Sequence, residues 1–203
     1  TPVTGATPKQ TKMFETTLHL VDDGNIYDRF KKVYQSTRQS IHSSSNLNVH
    51  KIYKVEIDKM STAYENYGAK VGNTMELWHG TRIGNLLSIL KGGYVIPPSN
   101  SSHCTGRLLG NGQYFSDQST KSLNYATGSA PGQRGGYEQF AFMFWNTVAM
   151  GKMYEPKSLN ERLPVPGYDS VFARGGGYTT LRNNEMVVYR TDQINPTYLI
   201  EFR

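Results

Sequence analysis

Cysteine is almost missing: Cys104 is the only one in 203 residues. That excludes a disulfide scaffold and any zinc site built from several cysteines, and it suits a reducing, intracellular setting. No apolar run approaches the roughly 18 residues that a membrane span needs, so no membrane is expected. The 20 glycines and 9 prolines follow no collagen-like period. There is no P-loop, no glycine fingerprint of a dinucleotide-binding β-α unit, no H-E-x-x-H zinc helix and no G-x-S-x-G nucleophile elbow. The histidines at 19, 42, 50, 79 and 103 have no metal-ligand spacing, so no metal is expected. A basic stretch followed by an apolar one is also missing at the N-terminus, which speaks against a secretory leader. The first residue, Thr1, is read as the start of a fragment or processed product.

What is present fits one domain with a buried core: 37% of residues are hydrophobic and 19% charged. Lys and Arg number 22 against 16 Asp and Glu, a net charge of +6. That suits an anionic ligand or a nucleic-acid neighbour, and an ordinary basic surface equally well. Residues 1–12, rich in Thr, Pro and Gly, read as a linker or frayed start. Residues 13–203 read as the domain.

Helical periodicity runs over 25–42 through Ile26, Phe30, Val33, Tyr34, Thr37 and Ile41, and Ser43-Ser44-Ser45-Asn46 ends it. Alternation over 48–57 sets Val49, Lys51, Tyr53, Val55 and Ile57 on one side of a strand. A short helix is expected over 61–70. A compact helix with Ile83, Leu86, Leu87 and Leu90 on one face stops at Gly92-Gly93. A long loop over 97–112 follows, then a short strand 114–116, a helix to 127 and a loop 128–136. Residues 140–150 read as a central strand, 159–177 as loop, and 185–189 and 198–202 as strands interrupted by Asn195-Pro196. Short strands with few helices define an α+β class.

Three segments carry chemistry. His79-Gly80-Thr81 stands at a strand end before a helix, where a histidine serves a pocket rim or is simply a satisfied structural group. Gly80 would let a ligand approach the backbone. Ser122 and Tyr125 share a helix face, and Tyr114 adds a ring from the preceding strand. Two rings and a hydroxyl can sandwich a flat, amide-bearing heterocycle, or can be plain packing. Glu185 heads an apolar strand, as a solvated edge charge or a site group.

In this order the segments resemble the catalytic domain of poly(ADP-ribose) polymerases. The resemblance rests on Leu77-Trp78-His79-Gly80-Thr81-Arg82, Gly110-Asn111-Gly112-Gln113-Tyr114-Phe115-Ser116-Asp117, Ser119-Thr120-Lys121-Ser122-Leu123-Asn124-Tyr125, Ala149-Met150-Gly151-Lys152-Met153-Tyr154, Asn184-Glu185-Met186-Val187-Val188-Tyr189 and Gln193-Ile194-Asn195-Pro196-Thr197-Tyr198-Leu199. It implies the ADP-ribosyltransferase fold, a split and mostly antiparallel β core with an NAD+ cleft and flanking helices. It implies transfer of ADP-ribose from NAD+ to an acceptor with release of nicotinamide, extended to poly(ADP-ribose); mono-ADP-ribosyl transfer is the alternative. By resemblance, His79, Tyr114, Glu185 and Lys121 form the catalytic set. His79 binds ribose hydroxyls, the Gly80 backbone and Ser122 hold the carboxamide, and Tyr114 and Tyr125 stack on the nicotinamide. Glu185 takes the ribose 2′-hydroxyl and helps activate the incoming one. Thr81, Phe115, Arg82 and Asn85 complete the NAD+-binding set, with Arg82 and Asn85 on the adenosine side.

The resemblance also implies protein acceptors, including automodification, with any nucleic acid engaged through regions outside this chain. Arg107, Asn183 and Val95 depart from the pattern of chain-elongating members. The stretch before the first matched strand is too short for a complete helical regulatory domain, so activity without DNA is expected. A silent NAD+-binding module and an RNA 2′-phosphotransferase are the rival classes; His79 and Glu185 speak against the first, Glu185 and the paired tyrosines against the second.

Overall fold

The longest apolar stretch of the sequence becomes the middle of the larger sheet. In a computed structural model, which describes residues 14–100, 107–129 and 140–203, Ala141–Ala149 forms β5, with all but two of its positions buried. Covered on both faces, it has no need of polar alternation. It pairs antiparallel with β9 (Ile194–Phe202) on one side and with β3 (Thr74–Gly80) on the other. Beyond β9 lie β2 (Val49–Ile57) and the edge strand β1 (Thr16–Leu20), giving the order β1-β2-β9-β5-β3. A second sheet runs β4 (Gln113–Phe115), β8 (Glu185–Val188), β7 (Ser170–Ala173) and β6 (Met153–Tyr154). Among the described residues, only the β6–β7 pair is parallel. The two sheets meet where Trp78 and Ser116 bridge β3 to the end of β4.

Aromatic packing closes one face of the large sheet. Helix α1 (Gly24–Ser36), capped by the Asp23 carboxylate accepting from the Asn25 amide at 2.8 Å, lays Phe30 and Tyr34 on that face. Phe30 meets Trp78, Trp145 and Tyr198 edge-on, and Tyr34 packs on Phe202. Helix α5 (Ser119–Thr127) shares this layer through Leu123 and Ala126. On the opposite face, Leu77, Phe144 and Leu199 pack with Ile89 and Leu90 of α4 (Ile83–Gly92) and with Phe115, Met186 and Val188 of the second sheet. One continuous core thus joins the two sheets. Leu109, Val171, Ala173 and Val187 make a smaller cluster centred on the second sheet.

The α+β class, the mostly antiparallel core and most elements follow the sequence reading. The first helix ends at Ser36, not at 42, and residues Ser43–Asn46 form a 3-10 turn. The helix expected over 61–70 begins earlier, as α2 (Asp58–Ala63), and continues through a π-helical turn Tyr64–Gly68 into α3 (Ala69–Val71). The apolar face assigned to α4 is corrected: Ile83 and Leu87 are exposed and Ile89 is buried, because the sheet lies under the Leu86–Ile89–Leu90 side. Pro196 does not interrupt the last strand. β9 runs through it, and the β5–β9 register shifts between Trp145 and Asn146, where Pro196 pairs without an N–H to donate. The expected loop over 159–177 contains β7, too short to show alternation. The linker 1–12, part of the 97–112 loop with Cys104 and His103, and most of the 128–136 loop lie outside the described residues.

Candidate active site

Between the end of β3 and the β4–β8 edge lies a cleft of about 460 Å³. Sequence order dictates who reaches it. β3 ends with His79-Gly80 at the rim, β4 brings Tyr114, α5 starts three residues beyond Ser116, and Glu185 opens β8 beside β4. His79, Tyr114, Lys121 and Glu185 all line this cleft, and so do Gly80, Thr81, Asn85, Phe115, Ser122 and Tyr125. Arg82 does not; it occupies the N-cap position of α4.

His79 is held as a neutral imidazole. Its Nδ1–H donates to the Tyr114 carbonyl at 2.9 Å, which leaves Nε2 as an acceptor. Burial pulls its pKa down from the ordinary 6.5 to about 4, against the opposing effect of that hydrogen bond. Tyr94 meets the ring edge-on at 5.1 Å, and Phe115 lies tilted against it at 5.7 Å. The Gln113 amide nitrogen is 3.3 and 3.4 Å from the two ring nitrogens. A point nearly equidistant from both, at that range, cannot lie in the ring plane without striking Cε1, so the amide rests on the imidazole face.

Gly80 is required for a reason the sequence did not reveal. A Cβ there would coincide with the Ser122 carbonyl of α5. The missing side chain lets helix and strand touch backbone to backbone; this close approach, rather than room for a ligand, is what the fold demands. It sets Ser122 beside β3, with its hydroxyl 3.3 Å from the Trp78 carbonyl, to which it donates. The Tyr114 hydroxyl accepts from the Leu109 amide and donates to the Gly110 carbonyl, both at 2.8 Å. The ring is therefore fixed at its far end. Burial pushes the Tyr114 hydroxyl well above its usual pKa and raises that of Tyr125, and Glu185 adds to this at both.

The charged end of the cleft is a pair. Lys121 Nζ lies 2.6 Å from Glu185 Oε1 and donates to the Asn184 carbonyl at 3.1 Å, with both side chains about 15% exposed (15% and 14%). Burial lowers the Lys121 pKa, while Glu185 and Asp117 oppose the shift. A carboxylate and an ammonium this enclosed interact strongly and respond to whatever enters beside them.

Tyr94 and Gln113 were not anticipated. Tyr94 follows the Gly92-Gly93 helix stop, where an aromatic reads as loop; its hydroxyl donates to Asn146 Oδ1 at 3.0 Å in the core. Only the period-2 pattern of Gln113 and Phe115 around Tyr114 could have flagged Gln113. Arg107, one of the departures from the chain-elongating pattern, lines the cleft and donates to the Pro98 and Pro97 carbonyls at 3.0 and 3.2 Å. Among the described residues, no group of three His, Cys, Asp or Glu is arranged to hold a metal ion, and no helix is long and apolar enough to cross a membrane.

A family model of the poly(ADP-ribose) polymerase catalytic domain matches residues 25–179. The chain therefore belongs to that family. The match takes in the His79, Tyr114 and Lys121 segments; Glu185 lies just past its end. Among relatives, poly(ADP-ribose) polymerase 1 of Arabidopsis thaliana is 27% identical over 91% of this chain and 21% of its own length. Protein mono-ADP-ribosyltransferase PARP4 of Homo sapiens is 31% identical over 86% of this chain and 10% of its own length. Protein mono-ADP-ribosyltransferase PARP3 of Homo sapiens is 31% identical over 81% and 29%. The chain thus spans about a fifth of the length of the polymerase 1 relative, 21%.

Proposed function

We propose that residues 13–203 form a catalytic domain that transfers ADP-ribose from NAD+, as substrate, to an acceptor and releases nicotinamide. The observation that carries this is the convergence of a neutral acceptor histidine, two tyrosine rings, a buried serine hydroxyl and a Lys–Glu pair on one cleft. Nicotinamide stacks between Tyr114 and Tyr125, and its carboxamide bonds the Ser122 hydroxyl and the Gly80 backbone. His79 Nε2 accepts from a ribose hydroxyl, and Thr81, Asn85 and Phe115 line the rest. Arg82, off the cleft wall, acts through the start of α4.

The bond from ribose C1′ to the nicotinamide nitrogen breaks, and its electron pair leaves with the neutral base. Glu185 holds the ribose 2′-hydroxyl and offsets the positive charge building on the sugar. The acceptor oxygen forms the new bond to C1′ as its proton passes to Glu185. Stacking supplies the alignment. The chemistry as written needs no metal. The retained Glu185 supports extension to poly(ADP-ribose); a single transfer is the second reading, favoured by relatives named mono-ADP-ribosyltransferases at 31% identity.

Acceptors are proteins, the chain itself included, in an intracellular setting that suits one cysteine in 203 residues. Any nucleic acid that takes part is engaged through regions outside this chain, and the domain works without DNA. Incubation with labelled NAD+ and electrophoresis of the products tests the reading. A ladder supports polymer synthesis, one discrete band supports single transfer, and no transferred label contradicts both. A rise only on adding broken DNA contradicts independence from it.

A further inference from the structure

Behind Glu185, the loop after β4, the loop after β7 and helix α5 all bond to Asn184, a residue that no step above has used. Asn184 Nδ2 donates to Asp117 Oδ2 at 2.6 Å, across from the loop that follows β4. Asn184 Oδ1 accepts from the Gly175 amide at 2.9 Å, from the loop that follows β7. Its backbone carbonyl accepts from Lys121 Nζ at 3.1 Å, from α5. The packing leaves little slack: a Cβ on Gly175 would stand 2.7 Å from the Asn183 carbonyl carbon and 2.8 Å from its Cα. The two chain segments therefore touch backbone to backbone, and the Asn184 amide has one orientation that satisfies both partners. Asp117 depends on it, since its other oxygen, Oδ1, is buried with no partner among the described residues. A buried carboxylate that lost the Asn184 donor would be left without compensation, which is costly.

We infer that Asn184 is a positioning residue for the transfer reaction: clamped between Asp117 and Gly175, it fixes where the Glu185 carboxylate stands against Lys121. This rests on the reading of the cleft proposed above. Glu185 is the next residue in the chain, so the backbone direction that Asn184 imposes is the direction from which its carboxylate enters the cleft. Asp117 serves twice. It accepts from Asn184, and its charge joins that of Glu185 in keeping Lys121 protonated against burial; His42 is the other titratable group that senses Lys121.

The clamp needs one donor and one acceptor between positions 184 and 117, plus an acceptor for Gly175 N–H. Asn184→Ala removes the donor to Asp117 and the acceptor for Gly175 N–H, and leaves the Asp117 carboxylate behind. Asn184→Asp keeps the acceptor for Gly175 but sets two carboxylates against each other. Asn184→Asp with Asp117→Asn exchanges the two groups and restores every hydrogen bond with the total charge unchanged. Two readouts are taken on each, with thermal midpoints alongside. One is kcat and KM for nicotinamide release from NAD+. The other, independent of turnover, is the pH dependence of Lys121 acetylation by acetic anhydride, followed by peptide mass spectrometry.

Asn184→Ala is expected to lower kcat about 10- to 100-fold with KM for NAD+ within about twofold, since a misplaced catalytic group costs rate rather than binding. Lys121 in that variant labels faster at pH 8, because a displaced Glu185 no longer holds the buried amine charged. Asn184→Asp falls further in kcat. The exchanged pair returns both readouts to within about threefold of the wild type, as two side chains acting through one shared hydrogen bond require. The proposal is overturned if the exchanged pair is no better than Asn184→Asp alone. It is equally overturned if Asn184→Ala leaves Lys121 labelling and the ratio of kcat to its wild-type value unchanged. If the wild type releases no nicotinamide, the reading of the reaction fails while the labelling still decides the clamp: restoration by the exchange supports it, and none overturns it.

Discussion

The two ends of the cleft are built on opposite electrostatic plans. At the β3 end, His79 is neutral, its proton fixed on Nδ1 by a backbone carbonyl and its ring enclosed by Tyr94, Phe115 and Gln113. At the β8 end, Lys121 and Glu185 keep a charged pair at 2.6 Å. A neutral acceptor suits recognition, because its role does not change between ground state and transition state. A carboxylate next to a cation suits chemistry, because its effect grows as charge develops on the sugar. The first end should govern binding and the second turnover.

The sharpest break between the ends comes from Glu185→Gln. It should lower label transfer about 10³-fold, within the range for loss of a general base and a charge-stabilising group, while NAD+ binding changes little. Gly80→Ala should unsettle the seam between β3 and α5 and act on both ends at once. With the Ser122 carbonyl in the way, the fold loses about 3 kcal/mol and its melting temperature drops by roughly 10 °C, readable by calorimetry.

His79→Ala should weaken NAD+ binding by about 10-fold, the worth of a hydrogen bond at an enclosed site, with a smaller effect on kcat. The same histidine gives a pH signature. Its pKa falls from 6.5 unfolded to about 4 folded, so the unfolded state binds the extra proton between those values. Stability therefore rises with pH across that window and falls on acidification, by up to about 3 kcal/mol. His42, also lowered by burial and then by Lys121, contributes in the same direction. His79→Gln should flatten most of the slope of melting temperature between pH 4 and 6.5. At the small end, Arg174→Ala removes an ion pair with Glu155 whose side chains are 61% and 43% exposed. It should shift stability by less than about 0.5 kcal/mol and neither end of the cleft at all.

Much of this arrangement was legible in the residues, and the gaps have physical reasons. Gly92-Gly93 marked the end of α4 because Gly93 takes a positive φ of 78° that other residues avoid. Long β5 was legible because a strand covered on both faces is simply apolar. Ile52 was missed as core: the alternation of β2 put its other face outward, but α1 covers that face at Ile52 and leaves His50, Lys54 and Glu56 exposed. β6 and β7 are two and four residues long and exist only through their partners. At the site, His79, Tyr114, Lys121, Ser122, Tyr125 and Glu185 were visible as motif residues. Tyr94, the Gln113 amide and the Asn184–Asp117 clamp were not, because each depends on which segments fold together rather than on local spacing.

The measurement that bears most directly on the central claim is NAD+ binding by titration calorimetry alongside single-turnover nicotinamide release, for the wild type, His79→Ala and Glu185→Gln. The account predicts that Glu185→Gln binds NAD+ within a few-fold of the wild type yet releases nicotinamide orders of magnitude more slowly, while His79→Ala shows its main loss in binding. Equal release by Glu185→Gln and the wild type, or loss of binding in Glu185→Gln greater than in His79→Ala, would contradict it.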